Sequence, residues 1–341
     1  MYYVGLDIHK KTVSYCVKDA AGTVHGEGTI AATRDALDDW MKALPQPWTA
    51  AMEATIFTGW IYDHLAPQAA AVKAAHPLML RVIAAAKKKN DQIDARKIAD
   101  CLRCDFLPEC YIAPKEMRER RRVLRYRNLL VRQAVQLKNK TAGLLMETGV
   151  TYNKQKLHQA GYFGQLLATN DEVEERLRPL LRLNREMLVR VERSERALLR
   201  ALKHDHLLVE RVQRLMSIPG IGPVTALSWV LEIGEVKRFS SVDKAVSYCG
   251  LCGDESSSAG VAQRTPLSKQ RNRHLQTVLV EAAKLAPRWN PHLAEIYVRE
   301  KAKSNSNCAT LEVARRLVAY LLAVDRRQQP FVLAQKEAGA A

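Results

Sequence analysis

The chain has 341 residues, which favours two or more domains, and its 47% hydrophobic content is sufficient for ordinary cores. Lysines and arginines number 53 against 36 acidic residues, and the net charge of +17 favours nucleic acid as a partner over a merely soluble basic protein. No apolar run approaches the ~18 residues of a membrane span, and no signal-peptide pattern opens the chain. We therefore expect a cytoplasmic protein with no membrane partner.

The first hundred residues alternate between strand and helix patterns. Residues 2–30 predict three strands joined by turns, and residues 31–44 predict a helix that Thr33 caps and Pro45 ends. Further strands are predicted at 48–52 and 71–73, and further helices at 59–65, at 78–86 and around residue 91. This order matches the ribonuclease-H-like arrangement.

Four carboxylates occupy informative places in this order. Asp7 ends the first strand, Glu53 follows the fourth, and Asp91 and Asp94 share one face of a helix because they are three residues apart. Acids at two strand ends and on one helix can converge on a divalent metal ion, and oxygen ligands suit Mg²⁺. The four residues are therefore predicted to bind Mg²⁺ or Mn²⁺ and to act on a polyanion.

Residues 115–140 predict a basic helix, since ten basic and two acidic side chains accompany apolar residues at helical spacing. One face would pack, and the other would hold a nucleic-acid backbone; a solvated charged face is the alternative. The predicted nucleic-acid contacts here and just before Asp91 are Lys87, Lys88, Lys89, Arg118, Arg120, Arg121, Arg122, Arg125 and Arg127.

Residues 171–215 carry apolar side chains at near-heptad spacing among glutamates and arginines. This pattern predicts a long helix or coiled coil that dimerises the protein or spans two domains, and a helix in a bundle fits equally well. The turn Pro219-Gly220-Ile221-Gly222 follows and is typical of a helix-hairpin-helix. Gly220 and Gly222 would let backbone amides approach a phosphate, unless they only make a tight turn.

Residues 250–275 combine a serine-rich stretch with a basic helix start. Composition alone predicts a flexible loop for the serines. The basic residues Lys269, Arg271 and Arg273 are predicted nucleic-acid contacts. The chain also has seven cysteines with two Cys-x-x-Cys pairs, but their odd number and the distance between the pairs favour incidental thiols over a disulfide framework or a zinc site.

Together these blocks resemble a known family. The chain is similar to DEDD transposases of the one-ten insertion-sequence family, including its eleven-eleven subgroup, which is related to pilin-gene invertases. The N-terminal blocks that carry the resemblance are Gly5-Leu6-Asp7, Met52-Glu53-Ala54-Thr55 and Asp91-Gln92-Ile93-Asp94-Ala95-Arg96. The C-terminal blocks are Ile218-Pro219-Gly220-Ile221-Gly222, Gly250-Leu251, the serine stretch and Ser268-Lys269-Gln270-Arg271-Asn272-Arg273-His274-Leu275. Each block alone is weak, whereas their order and spacing are specific.

The resemblance implies an α/β RNase H-like (RuvC-like) domain over residues 1–150, which carries the four acids, and a helical coiled-coil segment over 151–215. A mainly α transposase domain over 216–330 and a disordered tail over 331–341 follow. It places a nucleophilic serine at Ser258, eight residues after Gly250, with Ser256 and Ser257 as neighbours. Ala259 stands where the family usually has glycine, and Gly253 where it has proline. The implied partners are double-stranded donor and target DNA, a structured non-coding guide RNA (bridge RNA) that pairs with both, and further copies of the chain in a homo-oligomer.

The residues fit the implied chemistry. A serine hydroxyl needs activation, and a metal ion held by carboxylates can polarise the scissile phosphate and stabilise the leaving oxygen. Attack would leave a phosphoserine link that keeps the phosphodiester energy for rejoining. The alternatives are a magnesium-dependent RuvC-like endonuclease that uses water, and a non-catalytic nucleic-acid-binding protein, against which the four intact acids argue.

Overall fold

A computed structural model describes the backbone of residues 1–83, 90–258 and 261–332, and all side chains in these ranges except 254–258 and 261–265. Contacts within the chain divide it into two compact units, Met1–Arg118 and Glu119–Ala341. The predicted domain boundaries at residues 150, 215 and 330 stay predictions. Within the described residues, no helix is long and apolar enough to cross a membrane.

The first unit is built around a five-stranded mixed sheet. Its strands are β1 (Tyr2–Ile8), β2 (Thr12–Lys18), β3 (Val24–Ala31), β4 (Trp48–Glu53) and β5 (Ala71–Ala75). Their spatial order is β3-β2-β1-β4-β5, with β1 antiparallel to β2 and parallel to β4. The strand predictions are confirmed, and the pairing, which the sequence leaves open, places β1 and β4 side by side.

Helices α1 (Arg34–Ala43), α2 (Thr58–Leu65), α3 (Pro77–Ile83) and α4 (Asp91–Arg103) complete this unit. The Thr33 hydroxyl caps α1 by accepting from the Ala36 amide, as predicted. The apolar face of α1, with Leu37, Trp40 and Met41, packs into a core with buried residues of β1, β2 and β4. The α/β character of the N-terminal part is thus confirmed.

The second unit is mostly helical. Its helices, the first of which begins at the end of the first unit, are α5 (Lys115–Glu147), α6 (Ala160–Thr169), α7 (Leu177–Lys203), α8 (Val209–Met216), α9 (Pro223–Ile233), α10 (Val242–Tyr248), α11 (Arg273–Leu285), α12 (Pro291–Lys303) and α13 (Ser306–Arg327). The basic helix predicted at residues 115–140 is confirmed and extends seven residues further, to Glu147.

The long helix predicted over residues 171–215 is wrong in its extent, because the chain forms α7 and α8 with a break between them. At the break the Asp205 carboxylate accepts from the Leu207 amide, a local side-chain bond that competes with helix continuation. Helix α7 packs against α5, where the Asn184 amide donates to the Leu137 carbonyl at 2.7 Å. These contacts within one chain are those of a bundle helix, and a coiled-coil dimer stays a prediction.

The serine-rich stretch lies in a two-stranded ribbon and not in the irregular loop that composition predicts. Strands β6 (Gly253–Ser258) and β7 (Val261–Leu267) pair antiparallel, with Ser258 opposite Val261. Serine has little strand preference, so pairing with the partner strand, which composition does not reveal, determines this structure. Pro266 is tolerated because both strands of a two-stranded ribbon are edge strands.

Candidate metal centre and candidate nucleic-acid cleft

Two of the predicted metal ligands come from neighbouring parallel strands. Leu6 of β1 pairs with Met52 of β4, so Asp7 and Glu53 are the next residues along the two strands. Leu6 and Met52 face the main core of the unit. Since side chains alternate across a sheet, Asp7 and Glu53 face the opposite side, which α4 covers.

Helix α4 brings the other two acids to this face. The Asn90 side chain caps α4 by accepting from the Gln92 amide at 2.8 Å, and Asp91 and Asp94 lie in the first turn. The helix approaches β1 very closely at Gly5, where an added Cβ would lie 2.0 Å from the Ala95 carbonyl oxygen. Glycine at this position therefore sets how near the acids of α4 come to Asp7.

The acids converge, and a histidine that the sequence analysis did not consider joins them. His9 Nε2 lies 3.3 Å from Asp7 Oδ2 and 3.4 Å from Asp91 Oδ2. One possible ligand atom from each of these three residues lies within 4.8 Å of the others. Asp94 is near enough for its charge to act on Asp7, and it also pairs with Lys97 at 3.3 Å. A sequence signal for His9 exists, because it stands two residues after Asp7 at the end of β1.

The electrostatics of this centre suit a cation. Burial raises the pKa of the Asp7 carboxyl, and the charges of Asp91 and Asp94 raise it further, although nearby His9 acts in the opposite direction. The described neighbours of Asp7 thus compensate its negative charge only in part. Carboxylate oxygens with an imidazole form a donor set for a divalent ion, so Asp7, His9 and Asp91 fit such an ion, with Glu53 and Asp94 on the same face.

Most of the predicted nucleic-acid-binding arginines of α5 bond within the chain. Arg118 pairs with Asp63, Arg120 with Asp205, Arg121 with the Leu231 carbonyl, Arg125 with Glu232 and Arg127 with Glu195. Among the described residues Arg122 is exposed and has no such partner. Lys87, Lys88 and Lys89 lie outside the described residues. Nucleic-acid contact by this helix stays a prediction, for which Arg122 is the best placed side chain.

Arg121 and Arg125 lie beside a buried acid, Glu232, which was not predicted from the sequence. The side chain of Glu232, on α9, is 1% exposed. Arg125 donates to both of its oxygens at 2.8 Å, and the Asn272 amide donates to Oε2 at 2.9 Å. Burial alone would raise the pKa of Glu232, but Arg125, Asn272 and Arg121 hold it below its usual range. The sequence offers no periodic signal for a charge inside an apolar helix.

A cleft of about 760 Å³ in the second unit brings several predicted contacts together. It lies between α5, α9 and α11, and its basic residues are Arg127, Arg132, Arg271 and Arg273. Lys269 is exposed just before α11, outside the residues that line the cleft. Burial lowers the pKa of His274 in the cleft wall, and the charges of nearby arginines lower it further. The charge of Glu232 acts in the opposite direction, but the pKa stays below its usual value. The cleft therefore suits an anionic ligand.

The predicted helix-hairpin-helix turn borders this cleft. Gly220 and Gly222 line it between α8 and α9. Gly220 has φ +95°, and a Cβ there would lie 2.5 Å from the Ala286 Cβ, so both conformation and packing require glycine. Gly222 is the N-cap residue of α9, and no side chain caps this helix. The turn is confirmed as a structural element, whereas its contact with phosphate stays a prediction.

The side chains of Ser256, Ser257 and Ser258 lie outside the described residues, so their roles stay predictions. The ribbon that carries them leads through Ser268 to α11, where the Asn272 side chain accepts from the amides of His274 and Leu275. All seven cysteines are free. Within the described part of the chain no cysteine belongs to a cluster of three or more potential metal ligands.

Comparison with known families gives matches in both units. A model described as Transposase (DEDD_Tnp_IS110) matches residues 4–149, and one described as Transposase IS116/IS110/IS902 family matches residues 212–298. The four predicted acids fall in the first match, and the serine ribbon falls in the second. The chain belongs to the IS110/IS116/IS902 transposase family.

Individual relatives agree with this assignment. The chain is 24% identical over 327 residues to the transposase for insertion sequence element IS1328 of Yersinia enterocolitica. This match covers 92% of the chain and 93% of that protein. It is 25% identical over 206 residues to a probable family 20 transposase of Pseudomonas aeruginosa, covering 59% and 60%. It is 28% identical over 203 residues to the transposase for insertion sequence element IS1111A of Coxiella burnetii, covering 58% and 54%.

Membership of this family indicates an insertion-sequence transposase, an enzyme class that cuts and rejoins DNA. The DEDD transposase domain indicates dependence on a divalent metal ion, in agreement with the convergence of Asp7, His9 and Asp91. The eleven-eleven subgroup and the relation to pilin-gene invertases stay predictions.

Proposed function

We propose that this protein is an RNA-guided DNA transposase that cuts and rejoins DNA through a serine nucleophile, assisted by Mg²⁺ at a RuvC-like acid centre. The observation that carries the proposal is the convergence of acids from β1 and α4, beside the end of β4, on one face of the sheet. An acidic centre in a chain of net charge +17 suits chemistry on a nucleic-acid phosphate.

Each acid has a distinct contribution to this centre. Asp7 is fixed by the sheet, and its side chain is 15% exposed, less than the 27% of Asp94. Asp91, at 59% exposure, lies on the solvent side, where a substrate phosphate would approach. When bound, the divalent ion would polarise the scissile phosphate and stabilise the leaving oxygen. Asp7, Glu53, Asp91 and Asp94 would hold it.

The proposed cleavage step is a transesterification. The Ser258 hydroxyl oxygen attacks the phosphorus, the bond from phosphorus to one deoxyribose oxygen breaks, and a phosphoserine diester forms. The serine proton passes to solvent and the leaving oxygen takes one from solvent, so no co-reactant is needed. Reversal by a different deoxyribose hydroxyl rejoins the strands and releases the serine.

The proposed partners are donor and target DNA and a structured guide RNA. The arginine-lined cleft and the exposed Arg122 support contact with a nucleic-acid backbone, which positions a duplex without reading its sequence. In such a system base pairing with the RNA supplies the sequence reading. Purification without nuclease should therefore recover a structured RNA at a constant ratio to the protein, and recovery of nucleic-acid-free active protein would contradict the guide.

The nucleophile is tested by trapping the intermediate. Protein, co-purified RNA and end-labelled donor DNA are incubated with Mg²⁺ and denatured, and the label should migrate with the protein. Ser258→Ala should abolish this band, with Ser256→Ala and Ser257→Ala as matched controls that keep it. An adduct on Ser256 or Ser257 would move the nucleophile within the ribbon. If the strands are cut and no protein is attached to them at any point in the time course, water is the nucleophile and the protein is a RuvC-like endonuclease.

A further inference from the structure

His9 occupies a fixed place at the acid centre. It follows β1 directly, and its backbone amide donates to the Thr12 carbonyl at 2.9 Å, which closes the turn into β2. This turn directs the imidazole back over the end of β1, where Nε2 lies 3.3 Å from Asp7 and 3.4 Å from Asp91. The two acids come from different elements, so the position of His9 depends on the tertiary fold.

The spacing of these three side chains is that of ligands around one ion. Ligand atoms held at ~2.1 Å from a metal ion lie at most ~4.2 Å from one another. The candidate atoms of Asp7, His9 and Asp91 all lie within 4.8 Å of one another, which a small side-chain movement brings into that range. Because His9 is 48% exposed and sits on a turn, such a movement displaces no buried neighbour.

A second histidine shows what an ordinary surface pair looks like in the same unit. His25 Nε2 lies 2.8 Å from Asp19 Oδ2, and among the residues that the structure describes no second carboxylate pairs with His25. The hydrogen bond with His25 lowers the pKa of Asp19. At the acid centre, in contrast, one imidazole lies between the carboxylates of Asp7 and Asp91, 3.3 and 3.4 Å from its Nε2.

We propose that His9 is a direct ligand of the divalent ion, so that the centre is a mixed nitrogen and oxygen site. This inference rests on the proposed metal centre. Imidazole is a ligand that transition metals accept more readily than Mg²⁺, which prefers oxygen. The centre should therefore bind Mn²⁺ more tightly than Mg²⁺, and removal of His9 should reduce the affinity for Mn²⁺ far more than the affinity for Mg²⁺.

Pulsed electron paramagnetic resonance of the Mn²⁺-loaded full chain tests the ligand directly. A nitrogen bound to Mn²⁺ gives a ¹⁴N coupling, which should be present in the unaltered protein and in His25→Ala and absent in His9→Ala and His9→Gln. Titration with Mn²⁺ should show at least a ~10-fold loss of affinity in both His9 variants, since even partners of metal ligands contribute 10–100-fold. Circular dichroism of each variant confirms that it is folded.

The outcomes separate this inference from the proposed function. One outcome would overturn the role of His9 alone and show an all-oxygen site. In it, the unaltered protein binds Mn²⁺ tightly without a nitrogen coupling, Asp7→Asn removes this binding, and His9→Ala does not change it. A coupling that persists in both His9 variants would assign the nitrogen to another residue and also overturn it. An absence of Mn²⁺ binding by the unaltered, folded protein would overturn the metal centre itself.

Discussion

Each unit holds a cluster of polar side chains around one acid, Asp7 in the first unit and Glu232 in the second, and the clusters differ in how the charge of that acid is compensated. At the centre around Asp7, burial and two further acids raise the pKa of the carboxyl, whereas His9, 3.3 Å away, acts to lower it. At Glu232, two donors from Arg125 and one from Asn272 hold the pKa below its usual range in spite of deeper burial. The described neighbours of Asp7 therefore offset its burial only in part, whereas those of Glu232 more than offset it.

This difference is the one expected between an acid that serves function and an acid that serves structure. Buried charge is tolerated where partners and hydrogen bonds satisfy it, as Glu232 shows. Charge that the fold leaves uncompensated destabilises the protein and persists where a ligand or a reaction uses it. Glu232 joins α5, α9 and the start of α11 and thereby fixes one wall of the basic cleft, whereas Asp7 pairs, among the described residues, with the imidazole of His9 at 3.3 Å.

The largest expected effect is on chemistry at the open centre. Asp7→Asn and Asp94→Asn should reduce DNA strand cleavage by ~10²–10³-fold or more, the scale seen when one charge-stabilising group is lost. Nucleic-acid binding should persist, because removal of a negative charge lowers repulsion of phosphate. Cleavage is measured with labelled donor DNA in Mg²⁺ and binding by filter retention. Full cleavage by either variant would remove the distinction between the clusters.

Asp7→Asn should also stabilise the metal-free protein, which sharpens the contrast between Asp7 and Glu232. The pKa of Asp7 is raised in the folded state, so stability falls as the pH rises through that raised value, and at pH 7 the ionised carboxylate is unfavourable. Asp7→Asn should therefore raise the melting temperature at pH 7 without metal, and this gain should vanish at acidic pH. Added Mg²⁺ should stabilise the unaltered protein and leave the variant unchanged. A variant that melts lower at pH 7 would contradict the argument.

Glu232→Ala should have the opposite effect and lower the free energy of unfolding by ~3 kcal/mol, because it leaves Arg125 and Asn272 without their shared partner. Glu210→Ala is the matched control: Glu210 is 85% exposed, pairs with Arg214 at 3.8 Å, and should contribute well under ~1 kcal/mol.

The pH dependence of this effect follows from the lowered pKa of Glu232. Its stabilisation is present above its ordinary value of 4.5 and is lost as the pH falls through the lowered folded value. Urea unfolding of Glu232→Gln should therefore differ from the unaltered protein most at pH 7 and converge with it in acid. An equal difference at both pH values would show that packing, and not charge, is involved.

The sequence predicts the open centre far better than the closed one. Strand periodicity, the Thr33 cap and the spacing of Asp91 and Asp94 are local signals, and each is confirmed in the fold of the first unit. The approach of α4 to Gly5, the capture of Arg125 by Glu232 and the pairing of the serine ribbon each depend on residues far apart in the chain. Periodicity carries no information on such partners, which explains why the sequence predicts nucleic-acid contact for arginines of α5 that bond within the chain.

Gly5→Ala tests how far the open centre depends on one close backbone approach. The new Cβ would overlap the Ala95 carbonyl, so α4 must shift, at a cost of about 1–3 kcal/mol typical of overpacking. The shift would also move Asp91 and Asp94 away from Asp7 and weaken Mn²⁺ binding. Gly26→Ala in β3 is the control, since nothing lies within 4 Å of its added Cβ. Thermal unfolding and Mn²⁺ titration measure both effects, and unchanged metal affinity would show that the acids tolerate the shift.

The smallest effect separates the two kinds of arginine on α5. Arg122 is exposed, so Arg122→Ala should leave stability within ~0.5 kcal/mol and reduce the slope of log K against log salt by ~0.9 if the guanidinium contacts one DNA phosphate. Arg125 bonds Glu232, so Arg125→Ala should lower stability while the slope changes little, because its charge already serves an internal partner. Binding to duplex DNA and to the co-purified RNA at several salt concentrations gives the slopes. An altered slope for Arg125→Ala with full stability would mean that nucleic acid competes with Glu232 for the guanidinium, and the second cluster would then be as open as the first.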